Sequence, residues 1–100
     1  SQTQSPYRNV FSILYEEEQI KIIKLVSNAD KLRNEYVKTM EKILELFKKV
    51  EMYYSDLYEE TGKGDEELET VIKIVDNLKS LIYSIPSPYE IVNKAIEEKR

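Results

Sequence analysis

The sequence contains no cysteine, no histidine and no tryptophan, and only two glycines and three prolines. Without cysteine there is no disulfide and no thiolate metal ligand; without histidine the commonest general base and the commonest transition-metal ligand are both missing. Ser-His and Cys-His nucleophiles are therefore excluded, as are helical di-iron sites of the Glu-x-x-His type. Gly62-Lys63-Gly64 lacks the upstream glycine and the following hydroxyl residue of a phosphate-binding loop. Thr61 to Glu69 lacks the alternating ligand positions of a helix-loop-helix calcium site. Paired carboxylates remain, but nothing in their spacing suggests a cleft that would raise one pKa. The expectation is a protein that is not an enzyme and that uses no cofactor and no metal. No apolar run is long enough for a membrane span or a cleaved signal, so a soluble, cytoplasmic protein without a membrane partner is expected.

What is present is material for one core. A chain of 100 residues, 41% hydrophobic and 34% charged, is the usual size of a single domain, and such a domain buries roughly 65% of its unfolded surface. One helical-bundle domain is expected over residues 1–100, with residues 1–4 as a polar tail. The sequence holds 11 Ile, 12 Lys and 15 Glu, a balance shared with proteins of hyperthermophiles and also reached by AT-rich genomes. Ser5-Pro6-Tyr7 is echoed by Ser87-Pro88-Tyr89, which reads as two uses of a common helix start, serine capping and proline in the first turn.

Apolar residues recur at three- and four-residue steps, the period of amphipathic helices. The fold class expected is all-α, an antiparallel helical bundle of three main helices plus a short C-terminal helix. The first helix starts at Ser5-Pro6 and buries Tyr7, Phe11, Leu14, Ile22, Leu25, Val26 and Ala29; Glu18 interrupts the stripe, which allows a break near Tyr15 to Glu17, but one helix is the reading kept. Ser27 with Asp30 three residues later matches a weak capping box, so a turn is placed there. The competing reading is one rod from about Glu16 to Glu60. The second helix carries Tyr36, Met40, Ile43, Phe47, Val50, Tyr54 and Leu57 along its core line, with Val37 and Leu44 to one side and Leu46 and Tyr53 to the other. So wide an apolar arc needs two neighbours. Gly62 and Gly64 reverse the chain, and Asp65 caps a third helix through Leu68, Val71, Val75, Leu78, Ile82 and Ile85. Ser87-Pro88 opens the short last helix.

Charge is uneven along the chain. Residues 31–50 carry six basic and three acidic side chains, whereas residues 51–69 carry one basic and eight acidic. The acids gather where the second and third helices meet, and Tyr53, Tyr54 and Tyr58 lie beside them. A tyrosine with its ring on apolar surface and its hydroxyl in water suits an interface. The expected function is a small non-catalytic accessory or adaptor subunit that binds a larger protein assembly through this acidic, tyrosine-rich tip, with Tyr53, Tyr54, Tyr58, Glu59 and Glu60 as contacts. Ile13 and Ile20, seven residues apart, form a second candidate seam for a partner or a homodimer. One alternative is a nucleic-acid-associated factor, attached for example to a polymerase. It would use Lys31, Lys38, Lys42 and Lys49, which fall within about 40° of one another on a helix. Against it, Glu35–Lys38 and Glu45–Lys49 are helical neighbours that would partly neutralise the stripe. A structural homodimer is the other alternative.

Overall fold

A computed structural model describes residues 10 and 12–97 of the chain. These are all-α: helix α1 spans Glu16–Thr61, α2 spans Asp65–Tyr83 and α3 spans Pro88–Ile96. No strand occurs among the described residues. The expected tail 1–4, the helix start at Ser5-Pro6, and Tyr7 and Phe11 lie outside the described residues.

The start of α1 corrects the sequence reading. Val10 is helical, residues 12–14 form a turn and bend, and α1 begins at Glu16, so the single helix expected here is broken just before Glu16, beside the break that Glu18 allowed near Tyr15 to Glu17. The Glu18 carboxylate accepts the Tyr15 backbone N–H at 3.0 Å, while the Tyr15 carbonyl accepts the N–H groups of Glu18 and Gln19. That is the acidic half of a capping box. Glu18 therefore does not interrupt an apolar stripe; it closes the end of a helix.

No turn occurs at Ser27–Asp30. α1 runs through it for 46 residues, about 69 Å. Ser27-x-x-Asp30 caps a helix only if the backbone leaves helical geometry at Ser27, and nothing between Glu16 and Thr61 forces it to, since no glycine or proline occurs there.

The chain divides into two compact units, Glu35–Ile85 and Ser1–Asn34 with Pro86–Arg100. In the first of these, the C-terminal part of α1 and α2 form a helical hairpin. α1 ends at Thr61, whose hydroxyl donates to the Leu57 carbonyl at 2.8 Å. Gly62 (φ 72°) then donates its N–H to the Tyr58 carbonyl, a left-handed helix end. Gly64 (φ 81°), not Asp65, is the N-cap of α2; Asp65 is its first helical residue, and with Glu66 and Glu67 it sets negative charge against the positive end of the helix dipole. The two segments run in opposite directions: Gly64 lies against Tyr54 and Leu57 at one end, and Tyr83 bonds Glu41 towards the other.

Leu44, Val71, Val75 and Ile82 form the buried cluster of this hairpin, with Val37, Met40, Phe47, Leu68 and Leu78 packed around it. Full burial of each such aliphatic side chain is worth about 1.5–3 kcal/mol. The centre of the buried face of α1 is thus Leu44, only 2% exposed, rather than the expected line through Tyr36, Ile43 and Val50, all three of which are exposed. Within the hairpin α2 covers one flank of that wide arc, and the other flank has no neighbour.

In the other unit α3 lies along the N-terminal part of α1. Ser87 Oγ accepts the Glu90 N–H at 3.1 Å and Pro88 occupies the first turn. Ile22, Ile23 and Val26 of α1 face Tyr89, Val92 and Ile96 of α3 across an open apolar cavity of about 310 Å³, with Gln19 and Asn93 as its polar edge. Leu25, expected in the core, points away and is exposed.

Candidate protein-interaction surface

The tyrosine-rich end is built by the last turns of α1 and the glycine turn. Tyr54 is half-buried because its ring edge lies where a Cβ on Gly64 would come within 3.1 Å of it. Tyr53 stands edge-on to it, ring centroids 5.1 Å apart at 81°, and is 62% exposed. Such a pair holds a large ring rigidly in solvent. Tyr58 is exposed as well, but five residues after Tyr53 it lies about 140° round the helix, on the side of Tyr54. The structure therefore brings Tyr53 and Tyr54 together and sets Tyr58 on the far side of Tyr54.

Asp56, Glu59, Glu60, Asp65, Glu66, Glu67 and Glu69 are exposed around this end, and Glu51 is half-buried. Among the described residues no acidic group of three or more is arranged to hold a metal ion. The acids form a field rather than a site.

Ile13 and Ile20 are both exposed, but Ile13 lies in the turn before α1. Their seven-residue spacing is therefore not a helical one, and they do not share a helix face.

Lys31, Lys38, Lys42 and Lys49 all lie on α1 and are all exposed. Lys73–Glu69, at 3.6 Å, closes as an ion pair on α2, whereas neither Glu35–Lys38 nor Glu45–Lys49 comes within that range.

Tyr83 of α2 bonds α1 across the hairpin: its hydroxyl donates to Glu41 Oε2 at 3.0 Å. That bond holds the phenol pKa above its ordinary value, aided by desolvation and by repulsion between a phenolate and the Glu41 carboxylate.

A surface that the sequence reading did not single out is the uncovered flank of α1. Leu25, Leu32, Tyr36, Ile43, Leu46 and Val50 are all exposed on it, Leu32 and Leu46 by about 60%. The signal lay in the sequence: Leu25, Leu32, Thr39 and Leu46 recur every seven residues, and so do Ala29, Tyr36, Ile43 and Val50, three or four residues away. This is the a/d pattern of a coiled coil. Reading the same residues as flanks of an internal core hid it. Exposed single apolar residues are ordinary, whereas a continuous line of them marks an interaction face.

No family model, no curated protein and no solved structure matches this chain. No helix is long and apolar enough to cross a membrane among the described residues.

Proposed function

We propose that the chain is a non-catalytic, cytoplasmic accessory or adaptor subunit that docks on a larger protein assembly through the acidic, tyrosine-rich end of its hairpin. One observation carries this reading: Tyr53, locked edge-on against Tyr54, holds its ring in water at the rim of an acidic field. Rigid amphipathic rings cost little entropy to bury, and the surrounding acids would steer encounter with a basic partner surface. In this reading Tyr53, Tyr54, Tyr58, Glu59 and Glu60 form the contact. Replacing Tyr53 and Tyr58 together by alanine should abolish capture of a stoichiometric partner from nuclease-treated lysate while leaving thermal unfolding nearly unchanged. Equal loss of capture and of stability would make the two rings structural and sink the reading.

A second reading, association with nucleic acid through Lys31, Lys38, Lys42 and Lys49, draws on the exposure of all four side chains on α1. It requires an affinity for duplex DNA that falls steeply with salt. No binding at low salt would remove it.

A further inference from the structure

The seven-residue repeat on α1 has a preferred occupant. With Ala29, Tyr36, Ile43 and Val50 at the a positions and Leu25, Leu32, Thr39 and Leu46 at d, the e side of the seam is already used by the chain itself. Met40 and Phe47 pack on the hairpin core, Val26 lines the cavity facing α3, and Arg33, half-buried, is the charged member of this side. The g side carries Asn28, Glu35, Lys42 and Lys49, and neither Glu35 nor Lys42 makes an ion pair within the chain among the described residues. One flank is thus partly buried and apolar except at Arg33, the other is charged and exposed, and an open apolar seam lies between them.

We propose that the occupant of this seam is α1 of a second copy, running antiparallel. In an antiparallel pair a residues meet d residues and g flanks g. One register matches Leu25 with Val50, Ala29 with Leu46, Leu32 with Ile43 and Tyr36 with Thr39 of the second copy, each match occurring twice. Its g flank then sets Glu35 beside Lys42, again twice, and Asn28 beside Lys49, with Lys21 and Asp56 meeting just beyond the seam. No like charges face each other.

Neighbouring registers are less favourable in charge. A slip of one heptad in one direction puts Lys42 against Lys42, keeps attraction only between Glu35 and Lys49, and loses Lys21–Asp56; in the other it puts Glu35 against Glu35 and Lys21 against Lys49. A parallel pair would stack Tyr36 on Tyr36 and lay Glu35 and Lys42 over Met40 and Phe47 of the other copy, burying charge on apolar surface. The favoured register is centred between residues 37 and 38, one residue from the midpoint of Glu16–Thr61, so the two helices overlap along nearly their whole length. Charge selects this pairing, and the length of the helix accommodates it. Tyr53 takes the next d position, opposite Ile22 in this register, but Glu35 and Lys42 lie about three turns or more before it, so a charge exchange there tests the seam without altering the tyrosine end.

The test is a charge exchange read by sedimentation of the full chain. The unaltered chain should run at twice 11.8 kDa. Glu35→Lys alone and Lys42→Glu alone should each weaken the dimer about tenfold, because two attractive contacts become repulsive. The double variant should recover to within about threefold of the original. Residues 35 and 42 are about 10.5 Å apart on one helix and do not pair within a chain, so recovery reports on the second copy. Ile43→Lys, at an exposed seam position, should yield the single-chain mass with helix content retained. A single-chain mass for the unaltered protein at every concentration overturns the proposal. So does a dimer indifferent to the single exchanges, or one in which the double variant is the weakest.

Discussion

Gly64 and Gly62 share a left-handed backbone, yet they do not stand under the same constraint. At Gly62 a Cβ would meet nothing within 4 Å, whereas at Gly64 it would lie 3.1 Å from both Leu57 Cδ2 and Tyr54 Cδ1. Gly62→Ala should therefore cost only the backbone term, about 1 kcal/mol. Gly64→Ala should add the cost of displacing two packed side chains, for about 2–3 kcal/mol in all. Urea unfolding of the two variants measures the difference, and equal losses would mean that Tyr54 and Leu57 are not packed on the turn. Tyr83 gives a second residue-scale test. Because its folded pKa is raised above the ordinary 10.0, its bond to Glu41 contributes stability that is complete below that value and disappears as pH rises through the folded pKa. In a chain with carbon-13-labelled tyrosine, Glu41→Gln should lower the Tyr83 midpoint, since both the hydrogen bond to a carboxylate and the charge repulsion are removed. An unmoved midpoint would show that the contact is not made in solution.

At the scale of the element, α1 decides the architecture. Its continuity through Ser27 means that a proline at exposed Asn28 removes a helical hydrogen bond and clashes with the Lys24 carbonyl. Asn28→Pro should cost about 3 kcal/mol and reduce helix content. A chain that turned at Ser27–Asp30 would tolerate it. What could be read from the sequence here followed from local chemistry. Gly62 and Gly64 needed positive φ, and Ser87-Pro88 supplied a hydroxyl cap and a preset φ, so these boundaries were legible. Ser27-x-x-Asp30 was not, because the same residues that cap a helix end are compatible with its interior when nothing else breaks it. Glu18 carried the opposite lesson: a polar residue on an apolar stripe was the reciprocal cap of a helix that starts one turn earlier. The face of α1 was legible in extent but not in centre. The width of the arc followed from the spacing of Leu46, Val50 and Leu44, whereas which side α2 would cover depends on packing between elements that the spacing of one helix does not fix.

On the scale of the whole molecule, burial and exposure are out of balance. Four hydrophobic side chains are buried among the described residues, all in the hairpin, whereas 19 large hydrophobics stand exposed. Those on the a/d line of α1 fall in register with one another, which scattered exposure would not produce. The candidate contacts at the tyrosine end and the lysines were named from composition and helical angle. The seam on α1 required knowing which of its apolar side chains stay exposed among the described residues. The proposed association rests on the same imbalance, through the line of exposed apolar side chains on α1. The most direct measurement is solvent paramagnetic relaxation of leucine methyl groups in the full chain, with buried Leu44 as the internal reference. The account predicts that Leu25, Leu32 and Leu46 are shielded almost as well as Leu44 in the assembled protein and become accessible on dilution. Full solvent access at those three methyls at every concentration, with no partner able to shield them, would contradict it.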